Sequence, residues 1–398
     1  MKDPAMTDPI VIASYARTPM GGLQGAFADV KSTELGAAAV KAAIERAGIA
    51  GSDVDQVIMG CVLPAGLGQA PARQAAIHAG LGEHVPATTI NKMCGSGMQA
   101  AMMAYDAIAG GSAEVVVAGG MESMTGAPYL LPKHRGGARL GHDTVKDSMF
   151  LDGLEDAYEE GTLMGVFADR AATEYQFTRE AQDDYAIRSL TLAKKAQETG
   201  AFEREITPVE VKTRKGTHMV SEDEQPAKAN VDKIPALRPA FVPDGTVTAA
   251  NSSSISDGAA ALVMCSASTA ERLGMTPVAK VVGHAAFAHE PAKFTSAPVH
   301  ATRNLMERIG WTMDDVDLFE VNEAFAVVAL IAEKELGIER DKLNVNGGAC
   351  ALGHPIGASG ARIMATLLGA LENRDLKRGI AAICIGGGEA TAIALERI

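Results

Sequence analysis

The motif Glu45-Arg46-Ala47-Gly48, followed by Asp53-Val54-Asp55, returns 262 positions later as Glu307-Arg308-Ile309-Gly310 and Asp315-Val316-Asp317, without a gap. A period this long marks a duplicated domain, whereas solenoid repeats run to about 20–50 residues. Further matches follow. Ser96-Gly97 opens one helix-like run and Ser359-Gly360 another, and the strand-like run ending at Gly119-Gly120 answers Ala381–Ile385, which ends at Gly386-Gly387-Gly388. α/β chains share such patterns by chance, but an ungapped match of charged residues weighs against chance. In the first copy, short apolar runs (Ile10–Ser14, Val57–Met59, Ala87–Ile90, Val115–Ala118) alternate with helical ones (Thr33–Ala47, Pro71–Ala79, Met98–Ile108). That alternation predicts a mainly parallel α/β sheet. The stretch between the copies is richer in charge and turn residues and holds a polar helical run, Arg179–Thr199. The 398 residues therefore divide into a first half (6–124), an inserted loop domain (125–250) and a second half (251–398).

Asn91-Lys92-Met93-Cys94-Gly95-Ser96-Gly97-Met98-Gln99-Ala100-Ala101 joins a strand-like run to a helical one, which puts Cys94 at the turn. Unpaired N–H groups and the positive end of the helix dipole favour a thiolate there. A lone cysteine is as readily a small buried hydrophobe, and this turn alone does not separate the two readings.

Composition narrows the partners. A net charge of -13 and 4% aromatics argue against nucleic acid or an anionic membrane as the main partner. Five cysteines, an odd number, with no secretory signal ahead of them point to free thiols in a reducing compartment, with cytoplasm as the default. No apolar run is long enough to span a bilayer, the C-terminal Glu396-Arg397-Ile398 is not a peroxisomal address, and no His/Cys spacing suggests a metal site. Met1–Ala5 reads as a leader ahead of Met6.

Three more clusters fall at strand ends: Asn322-Glu323-Ala324-Phe325; Asn346-Gly347-Gly348 through Gly353-His354-Pro355; and Cys384 just before three glycines. Reacting groups of open α/β sheets collect at the carboxyl ends of strands, so Cys94, Asn322, His354 and Cys384 are expected to converge. A histidine beside Cys94 can take its proton, a second cysteine can act as acid or base, and glycine-flanked N–H groups can hold an oxyanion. Taken singly, His354 reads as a structural histidine, Cys384 as core and Asn322 as a turn residue.

With these motifs together the chain resembles the thiolases, in particular their acetyl-CoA acetyltransferase-like members. The likeness rests on Asn91–Ala100, Gly119-Gly120-Met121-Glu122-Ser123-Met124, Asn322–Ala326, Asn344–Gly348 through Gly353–Gly357, and Cys384–Gly388, in that order along almost the whole chain. It implies the thiolase fold: two duplicated α/β halves in a layered αβαβα core, with a loop domain over the active site. It implies that Cys94 becomes acylated, that His354 activates it, and that Cys384 is the acid/base at the substrate's α-carbon. Asn322 would hold a water that forms one oxyanion hole with His354, and the N–H groups of Cys94 and Gly386 would form the other. Coenzyme A would enter as substrate and product, with no tightly bound cofactor. Its contacts would come from Leu154, Met164, Phe241, Ala249, Ser253, Phe294, Ala324 and Phe325, with Lys228 the nearest substitute for an absent family arginine.

Leu163 stands where many members have histidine, and Ser254 replaces a common glycine. Glu290–Pro298, with Phe294 in place of a methionine, resembles members that accept a 2-methyl branch and respond to potassium. The expected reaction is a ping-pong condensation of two acetyl-CoA to acetoacetyl-CoA and CoA, or its reverse, in a homodimer or homotetramer. Thr125–Met149 would supply the tetramer contact. The rivals are a β-oxidation 3-ketoacyl-CoA thiolase of broader chain length and a thiolase-like protein that only binds acyl-CoA.

Overall fold

Ten strands form one continuous sheet in the computed structural model, which describes residues 8–214 and 216–398. The leader read at Met1–Ala5 lies outside them. The strands are β1 (Ile10–Arg17), β2 (Gly21–Gly22), β3 (Gln56–Gly60), β4 (Ala87–Ile90), β5 (Val115–Ser123), β6 (Ser256–Ser266), β7 (Ala279–Ala288), β8 (Leu318–Val321), β9 (Arg378–Ile385) and β10 (Glu389–Arg397). Their order is β8-β9-β10-β7-β1-β6-β5-β3-β4, with β2 pairing the start of β6.

The duplication is visible in that order. From the outside inward, the first half runs β3-β5-β6-β1 and the second β8-β9-β10-β7, with the same pairing directions at each step, so β6, on the second-half side of the boundary read at residue 251, completes the first half instead. Leu343, bridging Phe319 in parallel, stands where β4 stands in the first half. The halves join through β1 and β7, at Val11–Lys280 and Ile12–Ala279. The repeated acids do the same work twice: Asp55 Oδ2 accepts the N–H groups of Glu114 and Val115 where β5 begins, and Asp317 Oδ2 those of Lys377 and Arg378 at β9.

The sheet is mixed, not mainly parallel. β3 pairs in parallel with β4 and β5, and β8 with β9; every other named pair is antiparallel. A short loop can join only antiparallel strands, and the Gly386–Gly388 turn, with Gly387 and Gly388 at positive φ, makes β9 and β10 a hairpin. In the first half the equivalent pair, β5 and β6, is separated in sequence by the insertion. The register also corrects one match read from the sequence. β5 continues through Gly119-Gly120 to Ser123, and the counterparts of those glycines in the second half are Ala382 and Ile383 rather than the glycine turn.

The helices are α1 (Ser32–Ala47), α2 (Pro71–His78) and α3 (Ser96–Ala109) in the first half; α4 (Met164–Tyr175) and α5 (Arg179–Glu198) in the insertion; and α6 (Ala297–Ile309), α7 (Ala326–Leu336) and α8 (Ile356–Asn373) in the second half. Gly48 and Gly310, both left-handed, end α1 and α6, which explains the glycine of the repeated motif. α1 and α2 cover one outer face of the first half, and α6 and α7 one outer face of the second. Between the inner faces lie α3 and α8, buried with alternate residues of both sets of strands. Those are the five layers of the thiolase fold. The insertion is held to the core by Arg17, fully buried, whose Nε meets Glu205 and Nη1 meets Asp223, each at 2.7 Å. Among the described residues no helix is long and apolar enough to cross a membrane.

Candidate active site

Cys94 sits on a braced turn between β4 and α3. Ser96 Oγ accepts the N–H of Lys92 at 2.8 Å and donates to the carbonyl of Met93 at 2.7 Å, while Met93 adopts φ 47°, a region unfavourable for a side chain of its size. The thiol faces the N–H groups of Gly386 and of Cys94 itself. The helix start was expected to draw it toward thiolate; instead burial pushes it up to about 11. The loss of water outweighs two backbone dipoles.

Gly386 opens the turn two residues beyond Cys384, whose thiol is fully buried and raised well above the ordinary range by burial and by nearby Cys94. Lys92 and Glu389 form an ion pair that ties the Cys94 turn to the start of β10.

Asn322 follows β8, and its Nδ2 lies 3.5 Å from His354 Nε2. On the other side of the ring, His354 Nδ1 meets Ser359 Oγ at 2.5 Å, and Ser359 Oγ donates its proton to the Pro355 carbonyl at 2.9 Å. That hydroxyl must therefore accept from His354, so Nδ1 carries the hydrogen and Nε2 the lone pair. Burial, then the positive charge of Arg362, pushes His354 down to about 3, so the ring is neutral at physiological pH. α3 and α8 start side by side. Gly97 packs on Ala358 and Ala361, and Gly360 on Met98, which brings the turns carrying Cys94 and His354 together. Ile356, two residues after His354, packs in the same cluster as Cys94.

The residues assigned to coenzyme A divide. Leu154 packs in the cluster around Cys94. Met164 Sδ lies 3.5 Å from where a Cβ on Gly386 would be, and the Phe325 ring lies 5.9 Å from Phe241 and 6.3 Å from Phe294. Ser253 N–H donates to the Ala324 carbonyl at 2.9 Å, aligning that segment with the Asn322 loop. Ala249 lines a neighbouring cavity of about 260 Å³ beneath the insertion, with Lys233, Leu237, Ser254 and Cys350. Lys228 is not brought there: its amino group pairs with Glu224 on the exposed side of the short helix Glu224–Lys228. The lysine on the cavity wall is Lys233, for which a charged loop carried no signal.

Other site residues also went unread. Ser359 was visible only as a helix start. Arg362 sits in an apolar run. Glu122, fully buried, accepts the N–H groups of Val62 (2.9 Å), Leu63 (3.1 Å) and Gly357 (2.8 Å), joining the ends of β3 and β5 to the start of α8.

A duplicated five-layer core in which two packed helix starts carry a cysteine and a neutral imidazole defines the class: acyltransferases built on the thiolase fold. Comparison with known proteins agrees. Residues 10–268 match the model of the thiolase N-terminal domain and residues 275–397 that of the thiolase C-terminal domain. The acetyl-CoA acetyltransferase of Cupriavidus necator is 49% identical over 98% of this chain and 100% of its own length, and that of Schizosaccharomyces pombe 47% over 98% and 99%. The crystal structure of the Bacillus anthracis acetyl-CoA acetyltransferase superposes with a TM-score of 0.96 at 41% identity, covering 98% of this chain and 99% of that one. The chain belongs to the thiolase family.

Proposed function

We propose that the protein is an acetyl-CoA C-acetyltransferase, joining two acetyl-CoA into acetoacetyl-CoA and CoA and catalysing the reverse thiolysis. His354 Nε2 takes the Cys94 proton as the sulfur attacks the first thioester. The N–H groups of Cys94 and Gly386 hold the oxyanion. CoA departs with the proton of Cys384, leaving acetyl-Cys94 and a Cys384 thiolate. That thiolate removes an α-proton from the second acetyl-CoA, whose thioester oxygen rests between the His354 Nε2–H and a water on Asn322. The carbanion attacks acetyl-Cys94, and the released Cys94 sulfur recovers its proton from His354. Each group ends as it began, with two thiols and a neutral imidazole.

The observation that carries this reading is a Cys94 thiol held against the Gly386 N–H, close enough to Cys384 to raise its pKa, beside a neutral histidine whose hydrogen bonds leave Nε2 to accept a proton. The pantetheine and nucleotide of coenzyme A would run from Met164 toward the cavity beneath the insertion, where Lys233 is on the wall. Phe241, Phe294 and Phe325 crowd the space beside Met164, which favours short acyl groups over the long chains of a β-oxidation thiolase. We place the protein in the cytoplasm as a dimer or tetramer; β4 leaves an open sheet edge, and Tyr129, Leu131, Leu140 and Val145 are exposed on the Thr125–Met149 loop.

The deciding experiment measures kcat/KM for acetoacetyl-, 2-methylacetoacetyl- and 3-oxooctanoyl-CoA thiolysis, with and without K⁺. A preference for acetoacetyl-CoA is expected, and the K⁺ arm tests the potassium response implied by Glu290–Pro298. A preference for the eight-carbon substrate would overturn the short-chain assignment, and release of free acid without a C–C product would overturn the acyltransferase mechanism.

A further inference from the structure

Arg362 lies three residues after Ser359 on α8, so both side chains leave the helix on one face. Ser359 meets His354 Nδ1, and Arg362 Nη2 donates to Asn322 Oδ1 at 3.3 Å while its Nη1 pairs with Glu320 Oε1 at 3.2 Å. The Arg362 and Glu320 side chains are 0% and 2% exposed. A guanidinium can only donate and a peptide carbonyl can only accept. Between Arg362 at one end and the Pro355 carbonyl at the other lie three groups that could each point either way: the Asn322 amide, the His354 ring and the Ser359 hydroxyl. With both ends fixed, every link has one direction. Oδ1 faces Arg362, Nδ2 faces His354 Nε2, Nδ1–H donates to Ser359, and Ser359 donates to Pro355.

We infer that Arg362 is a positioning residue that sets the orientation of the Asn322 amide and, through it, holds His354 in the Nδ1–H tautomer. The 3.5 Å separation of Nδ2 and Nε2 is at the weak limit of a hydrogen bond, so the Nε2 lone pair is oriented but still open to a proton. Without Arg362 the amide can turn Oδ1 toward Nε2. That arrangement rewards hydrogen on Nε2, the tautomer that cannot accept the Cys94 proton. The charge of Arg362 has a separate effect, keeping the resting His354 ring neutral without choosing between its tautomers.

The tautomer is independent of substrate, whereas the kinetic consequence rests on the acyltransferase reading above. Nitrogen NMR of the full chain labelled with ¹⁵N-histidine, with His354 identified by the loss of its signals in His354→Gln, reads the tautomer directly. The wild type and Arg362→Lys should show Nδ1–H; Arg362→Gln should show Nε2–H or a mixture. In acetoacetyl-CoA thiolysis, Arg362→Gln should lower kcat about 100-fold with KM changed less than about threefold, and in an Asn322→Ala background it should cost less than about threefold more. An unchanged tautomer in Arg362→Gln, losses that multiply in the double variant, or failure of both Arg362 variants to fold would each overturn the inference. If the tautomer switches as stated but the wild type makes no acetoacetyl-CoA, the acyltransferase reading fails and the positioning role stands.

Discussion

Gly360→Ala tests whether the crossing of α3 and α8 sets the geometry of the site. A Cβ built on Gly360 lies 2.4 Å from the backbone nitrogen of Met98 and 2.8 Å from its Cβ, and on the facing helix a Cβ on Gly97 lies 2.7 Å from the nitrogen of Ala361. Ordinary contact begins near 3.4 Å, so the helices must part by about 3.4 − 2.4 = 1.0 Å at this point. Backbone atoms cannot rotate aside as a long side chain can. Both helices are buried between the strands of the two halves, and the strain of overpacking costs about 1–3 kcal/mol. The same shift separates the turn carrying Cys94 from the His354–Ser359 pair, and about 1 Å of misplacement lowers a reaction rate on the order of 100-fold. KM should change little, since the proposed acyl-CoA contacts lie on the insertion and the Asn322 loop. Urea melts and acetoacetyl-CoA thiolysis read the two effects, with Gly136→Ala as control because no heavy atom lies within 4 Å of its Cβ position. Wild-type stability, or wild-type kcat, in Gly360→Ala would refute the claim that this crossing has no slack.

Cys384→Ser should still form acetyl-Cys94, detected by mass spectrometry, because CoA can leave as a thiolate without the Cys384 proton, while carbon–carbon bond formation, which needs a base at the α-carbon, falls at least about 100-fold; equal loss of both half-reactions would deny Cys384 its role as that base. With Cys94 pushed up to about 11 and His354 down to about 3, both are neutral near pH 7 in the free enzyme. Iodoacetamide inactivation at Cys94 should therefore rise about tenfold per pH unit from neutrality toward pH 9, and a plateau at neutral pH would reveal a preformed thiolate–imidazolium pair. Burial pushes Glu122 from 4.5 up to about 7, so the folded protein holds a proton there that the unfolded chain releases. Stability should then fall as pH rises through that window and level off above it. Glu122→Gln should lack this part of the slope in urea melts, and an unchanged slope would mean that three N–H donors already keep the carboxylate ionised.

Much was legible along the chain because its signals are local. The apolar runs named β1, β3, β4, β5 and β9 within a few residues while β6, β7 and β10 carried no reading, Gly48 and Gly310 marked helix ends, and the repeated Asp55 and Asp317 start equivalent strands. Duplication followed from that pattern alone, and with it the placing of Cys94 and Asn322 just past strands and Cys384 near the end of one; His354, expected at a strand end, instead lies between the short helix Ala349–Leu352 and the start of α8.

What folding decided depends on partners far away in sequence. The direction of β5 against β6 could not be read across the insertion, and the glycines at 119 and 120 were taken for a turn because nothing local shows that β6 pairs through them. Lys228 and Lys233 are indistinguishable as sequence, and only packing turns one to Glu224 and the other to the cavity. The protonation states changed most. A cysteine at a helix start looks acidic on paper, yet the packed halves leave it half-buried, with too little water to solvate its charge. The chain by itself determined which chemical groups exist and which turns carry them. Their protonation and the direction of their hydrogen bonds were settled only when the second half packed against the first, because desolvation and donor–acceptor pairing belong to the assembled core.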